Sequence, residues 1–164
     1  MPTDDIISQW AAKFDLYENF LYQMFGTIRY EHLFKTKIEP YGFRKQLPVL
    51  KAVEVGERLY TVTVIKQYEN ASVVQLHIDS DNLDDSPPVD LTKKRNNVNF
   101  ELFIDDKYDC RKDRAGGGNG HYTCSFIVSP ALPDDVTGVD LVFKEYSDNF
   151  MENPTGLEIK INIE

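Results

Sequence analysis

The chain has 164 residues, with 18 Lys and Arg against 27 Asp and Glu, a formal net charge of −9, and 41% hydrophobic against 27% charged side chains. That balance is globular, and a chain of this length removes roughly 70% of its unfolded surface from water, so its core requires neither a metal nor a disulfide. No apolar run approaches the ~20 residues of a membrane-spanning helix, and the start MPTDD lacks the regions of a secretory leader, which fits a cytoplasmic protein or a trimmed mature chain.

At the N-terminus, Thr3, Asp4 and Asp5 are capping and first-turn residues for a helix. Ile7, Trp10, Phe14, Tyr17, Leu21, Met24 and Ile28 then recur at alternating steps of three and four. This spacing predicts one long amphipathic helix ending near residue 25, before Gly26. Its apolar stripe packs on the chain's own sheet or, alternatively, forms a seam that assembles several copies. Between residues 28 and 46, Arg29, Lys35, Lys37, Arg44 and Lys45 mix with Tyr30, Phe34, Tyr41 and Phe43. The segment reads as an irregular connector whose aromatics cover the sheet, with a turn at Pro40-Tyr41-Gly42. Stacking and basic residues suit nucleic acid, but no binding motif is present, and no nucleic-acid partner is expected.

After Pro48 the period changes to two. Tyr60, Val62 and Val64 alternate with Thr61 and Thr63, and Val74, Leu76 and Ile78 with Gln75 and His77. The pattern repeats around 100–104, 122–128, 139–143 and 157–163, and a less regular strand falls near 49–55. One buried and one wet face per strand is the signature of antiparallel sheets. The expected fold is mainly β: an antiparallel Ig-like β-sandwich of about seven strands with one long N-terminal helix. Residues 1–46 form the helix and connector and 47–164 the β domain, together a single structural unit.

Cys110 and Cys124 fall on one side of adjacent strands if no bulge intervenes, which permits a disulfide. Two buried thiols in a reducing compartment fit the same residues. Zinc on Cys110, His121 and Cys124 is disfavoured, because His121 and Cys124 point to opposite faces of a strand and a fourth ligand is missing. Gly116–Gly120 reads as a flexible hairpin tip. Arg111, Lys112 and Arg114 beside it form a locally basic spot, a candidate partner contact.

The first 70 residues carry nine acidic and nine basic side chains, so the whole negative balance lies beyond them. Asp79, Asp81, Asp84, Asp85 and Asp90 cluster without a base between them. Leu83 and Asp84 break the EF-hand pattern, but Asp79, Asp81, Asp84 and Asp90 could hold calcium at the tip of a sandwich. His77 shares a strand face with Asp79, and no serine lies in a strained nucleophile turn, so a hydrolase is not expected. The expectation is a non-enzymatic binding module of the cell surface or envelope. Its acidic 79–90 and Gly-rich 111–120 loops would touch a protein or carbohydrate ligand, with calcium as a possible aid. Asn70-Ala71-Ser72, a glycosylation sequon, agrees with that compartment. The alternatives are an intracellular acidic protein that captures a basic partner and a helix-mediated assembly subunit.

Overall fold

The aromatic stripe at the N-terminus forms two short helices, α1 (Asp4–Phe14) and α2 (Glu18–Arg29), in place of the long one expected. The chain turns at Asp15, whose φ of 52° is left-handed. A short polar side chain tolerates that conformation better than most. The N–H groups of Asp15 and Leu16 both bond back to the Ala11 carbonyl and close α1. Gly26, the expected terminator, lies inside α2. Ile7, Ala11 and Leu21 are the buried residues between the helices, with Tyr22 and Phe25 packed against them. The Tyr22 hydroxyl donates to Asp4 at 2.7 Å. The other half of the stripe is bare: Phe14, Phe20 and Ile28 are exposed, and Tyr17 in the turn is 86% exposed.

The structure, a computed structural model, describes residues 2–31, 36–80 and 99–164. It divides into two compact units, Met1–Lys37 and Ile38–Glu164. The second unit holds eight strands where seven were expected: β1 (Phe43–Val55), β2 (Arg58–Tyr68), β3 (Ser72–Asp79), β4 (Asn99–Phe103), β5 (Asp109–Gly118), β6 (His121–Ser129), β7 (Asp140–Tyr146) and β8 (Pro154–Asn162). All pairings are antiparallel, in a five-stranded sheet of order β1-β2-β3-β6-β5 and a three-stranded sheet of order β4-β7-β8. The strand that periodicity missed is β5, DCRKDRAGGG. It lies at a sheet edge, where backbone pairing to β6 suffices, and charges and glycines there discourage pairing with other chains.

Alternation puts Val62, Val74, Leu76 and Phe126 of the larger sheet into one core with Phe100, Leu141, Phe143 and Ile159 of the smaller. Ring pairs join the layers, Tyr60 to Phe100 at 5.9 Å and Phe126 to Phe143 at 5.7 Å. Tyr41 and Phe43, expected to cover the sheet, are exposed, and Phe34 lies outside the described residues. In β1, Val49 and Leu50 stand opposite a single residue of β2, and this bulge leaves Leu50 at φ 50° and 75% exposed.

A buried polar knot fastens the long β6–β7 connection. Gln67 and Ser72 are both 0% exposed. The Gln67 amide donates to the Leu132 and Pro133 carbonyls at 2.9 and 3.1 Å. Ser72 donates to Gln67 Oε1 and accepts the Leu132 N–H at 2.8 Å. Among the described residues no buried side-chain polar atom lacks a partner.

The registers also fix which loops meet. Tyr60 and Tyr122 both stand opposite Ile78, Tyr60 touches Phe100, and Phe100 stands opposite Glu145. Arg58 bonds Glu145 across the layers at 3.3 Å. The β1–β2 turn, the end of β3, the start of β4, the β5–β6 turn and the β7–β8 loop therefore share one end.

Candidate functional site

The expected disulfide does not form: Cys110 and Cys124 are two separate thiols. They do lie on the core side of neighbouring strands, but Cys110 stands opposite Val128 and Cys124 opposite Ala115. Four residues of β6 separate the two levels, roughly 13 Å at ~3.3 Å per residue, against the ~7 Å that a bridge tolerates. Burial pushes the Cys110 thiol up to about 12, helped by Asp109, Asp105 and Glu101, and burial lifts Cys124 to about 11. Both stay protonated at neutral pH, unsuited to attack or to metal.

The 111–120 loop is also redrawn. Residues through Gly118 are strand, and only Asn119 and Gly120 turn, at φ 54° and 80°. Two left-handed residues make the tight turn that suits strand twist. Arg111, Lys112 and Arg114 thus sit on an edge strand. Arg111 donates to Asp109 at 2.9 and 2.7 Å, Arg114 to Asp113 at 3.0 Å, and Lys112 is exposed. Of the calcium candidates, Asp81, Asp84 and Asp90 lie outside the described residues, and Asp79 is engaged by a histidine. Among the described residues no group of three or more His, Cys, Asp or Glu could hold a metal ion. The sequon has a structural use: Asn70 donates to the Glu39 carbonyl at 3.0 Å and accepts the Tyr41 N–H at 3.0 Å.

Spacing alone did not link His77 and Asp79 to His121 and Thr123, which the structure joins into a polar ladder. They occupy the face of the five-stranded sheet turned away from the core. Gln75 stands opposite Ser125, His77 opposite Thr123 and Asp79 opposite His121. His121 Nδ1 lies 2.6 Å from Asp79 Oδ1, and its Nε2 lies 3.4 Å from Thr123 Oγ1. His77 Nδ1 contacts the same hydroxyl at 3.0 Å, and the two rings stack with centroids 5.8 Å apart. Burial, then the neighbouring His121, hold His77 below its ordinary 6.5, outweighing Asp79. Carboxylate, imidazole and hydroxyl follow one another as in acyl-transfer triads. The last link is longer than the ~2.6–3.2 Å of a working base, and His77 holds the hydroxyl from the other side. The ladder reads as a proton-sharing network.

The ladder leads directly into the shared loop end. The Ser80 N–H donates to the Gly120 carbonyl at 2.8 Å, so the start of the acidic segment and the hairpin tip lie side by side. The β7–β8 loop, residues 147–153, arrives at the same end around one carboxylate. Asp148 accepts the N–H groups of Phe150 (2.9 Å), Glu152 (3.2 Å) and Asn153 (2.8 Å) and the Asn153 side-chain amide (3.0 Å). Desolvation pulls the Asp148 carboxyl upward, yet these donors together hold it below its ordinary 3.8. The caged loop presents Phe150, which is 50% exposed. At the same end, Glu54 and Glu57 beside the β1–β2 turn and Glu152 are exposed, whereas Asp79 bonds His121 and the buried Glu145 pairs with Arg58. Asp105, Asp106 and Asp109 lie elsewhere, a β5 length or roughly 30 Å away at the far end of that strand.

Fold and site together define a mainly β protein of two packed antiparallel sheets with an aromatic-tipped loop at one end. In comparison with known proteins, the chain matches no family model, and neither a curated protein nor a solved structure matches it significantly.

Proposed function

We propose that this is a non-enzymatic, Ig-like binding module that engages a cationic partner protein through the loop end. Strand order supports the Ig-like part of the reading. With β1 set aside as an added edge strand, β2-β3-β6-β5 over β4-β7-β8 follows the A-B-E-D over C-F-G order of constant-type immunoglobulin domains. In that correspondence the loops after β3, β5 and β7 are the B–C, D–E and F–G loops, and the cysteines fall on D and E, so no inter-sheet bridge is implied.

The observation that carries the binding reading is the Asp148 cage. A loop held by four hydrogen bonds to one carboxylate presents an aromatic side chain without a large ordering cost on binding, and buried aromatic anchors dominate protein interfaces. The surrounding carboxylates select a basic partner and steer its approach. The capture of a basic partner depends neither on a bridge between the cysteines, which are separate thiols, nor on the compartment.

The test is a titration of the ¹⁵N-labelled full chain with an octapeptide of alternating Lys and Leu, and with polyglutamate as control. Shifts concentrated at residues 54–58, 118–122 and 147–153 are expected, with none from polyglutamate. Phe150→Ala should weaken peptide binding about tenfold, as loss of one anchor of ~1.4 kcal/mol does. Shifts spread evenly over all acidic surfaces, or an unaffected Phe150→Ala, would overturn the reading.

A further inference from the structure

We propose that His77 and His121 form a proton switch that unlocks the β5–β6 hairpin tip from the start of the segment after β3 as the pH falls. Its use in regulation rests on the partner reading above, because it acts on the same loop end, whereas its chemistry depends on the ladder alone.

With both rings neutral, every link of the ladder is satisfied in one direction. His121 Nδ1–H donates to Asp79 at 2.6 Å, which leaves a lone pair on Nε2 for the Thr123 hydroxyl at 3.4 Å. The same hydroxyl oxygen accepts from His77 Nδ1–H at 3.0 Å. A proton added at His121 Nε2 leaves the charged ring bonded to the Asp79 carboxylate. Thr123 then accepts from His121 and turns its own proton toward His77 Nδ1, while His77 exchanges its Nδ1 proton for one on Nε2 through solvent, so the chain reverses and stays complete.

A proton on His77 as well is poorly compensated: the Asp79 charge is outweighed there by burial and the His121 ring. His77 has no carboxylate bonded to it, and a charged ring is stacked 5.8 Å away. The neighbouring strands supply no counter-charge. From β2, Thr61 stands opposite His77 and Leu59 opposite Asp79. From β5, Gly116 stands opposite Thr123 and Gly118 opposite His121. Glu54 is a further strand away, opposite Leu59 on β1, and Arg114 faces Ser125 and is bonded to Asp113.

Like-charge repulsion between the rings is relieved by parting β6 from β3, and the ladder is poised to part at this point. Asp79 and His121 are the last register pair of β3 and β6, and the Ser80 N–H to Gly120 bond is the next link beyond them. Strand ends open more readily than strand centres. The same direction holds for stability. Folding lowers the proton affinity of His77 from its ordinary 6.5, so the unfolded chain takes up the proton first. The stabilisation is complete above 6.5 and is lost as the pH falls through the lower folded-state value.

The experiment is an NMR titration of both imidazoles in the full chain, with amide hydrogen exchange at Ser80 followed from about pH 7 to about pH 5, the histidine range. His77 should titrate below its ordinary 6.5. Ser80 protection, corrected for the intrinsic pH dependence of exchange, should fall by up to about tenfold per pH unit, the limit for one proton taken up on opening. His77→Asn, and His77→Gln should the first not fold, keeps the tip locked at the acid end. A His77 midpoint at or above 6.5, constant Ser80 protection, or an unchanged acid response in both variants overturns the switch. The two readings fail separately. A pH-independent tip with intact peptide binding sinks the switch alone, and lost peptide binding with an intact titration sinks the partner reading alone.

Discussion

At the scale of single residues, the most consequential side chains outside the ladder are Gln67 and Ser72. Each is buried and each bonds the other and the Leu132 backbone. An apolar replacement of one member leaves buried partners without bonds, which costs far more than an ordinary hydrogen bond contributes. Gln67→Leu is expected to destabilise the second unit by about 3 kcal/mol, since it strands the Leu132 and Pro133 carbonyls together with the Ser72 hydroxyl. Ser72→Ala acts on the same knot, so the double variant should lose clearly less than the sum of the two. Urea unfolding of the three variants measures both statements, and strict additivity would show that the two residues are not one network. The knot also explains why the sequon is better read structurally. Its serine holds up the core, and its asparagine ties residues 39–41 to the β2–β3 turn.

At the scale of elements, the β5–β6 hairpin decides how the loop end is built. Gly120 sits at φ 80°, and a Cβ there would lie 2.6 Å from the Ser80 carbonyl oxygen. Gly56, in the β1–β2 turn, has a φ of 62° with open space around it. Gly56→Ala therefore carries the backbone penalty alone, about 1 kcal/mol, whereas Gly120→Ala adds a collision and should cost about 2 kcal/mol or more. Thermal unfolding ranks the two, and Ser80 amide exchange should accelerate only in the second. Equal losses would mean that the tip does not press on Ser80. This hairpin also marks where reading the sequence stops being sufficient. The strands with apolar alternation, such as β3 and β8, follow directly from period two. β5 has no such alternation because an edge strand is held by its backbone. The break at Asp15 is hidden because the three-four spacing runs on through the turn. The ladder was half visible: Gln75-His77-Asp79 and His121-Thr123-Ser125 each put polar groups on one parity. Their meeting depends on β3 pairing with β6 across more than forty residues, and no local pattern encodes that. The cysteines teach the same lesson, since parity gave them the correct face and register kept them apart.

At the scale of the whole molecule, folding redistributes a charge that is lopsided along the chain. Bases of the neutral first half reach the acidic second half: Arg44 and Lys45 bind Asp134 at 2.9 Å, Arg58 binds Glu145 at 3.3 Å, and Lys51 approaches Glu164 at 3.7 Å. Among the described residues, Glu54, Glu57 and Glu152 keep exposed positions at the loop end. The two units differ in the opposite sense, in apolar content. The second has an extended core drawn from both sheets. The first buries only Ile7, Ala11 and Leu21 among its described residues, between helices of 11 and 12 residues. Helices of that length are marginal in water without substantial packing, and so small a cluster supplies little of it. The sequence provides a reporter, because the single tryptophan, Trp10, lies in α1, ring to ring with Phe25 at 5.7 Å. Urea unfolding followed by Trp10 fluorescence should therefore show an earlier, shallower transition than unfolding followed by the β-sheet circular dichroism signal. Fewer buried groups mean both a lower midpoint and a smaller slope. Coincident transitions would instead mean that the helices unfold with the sheets as one cooperative body.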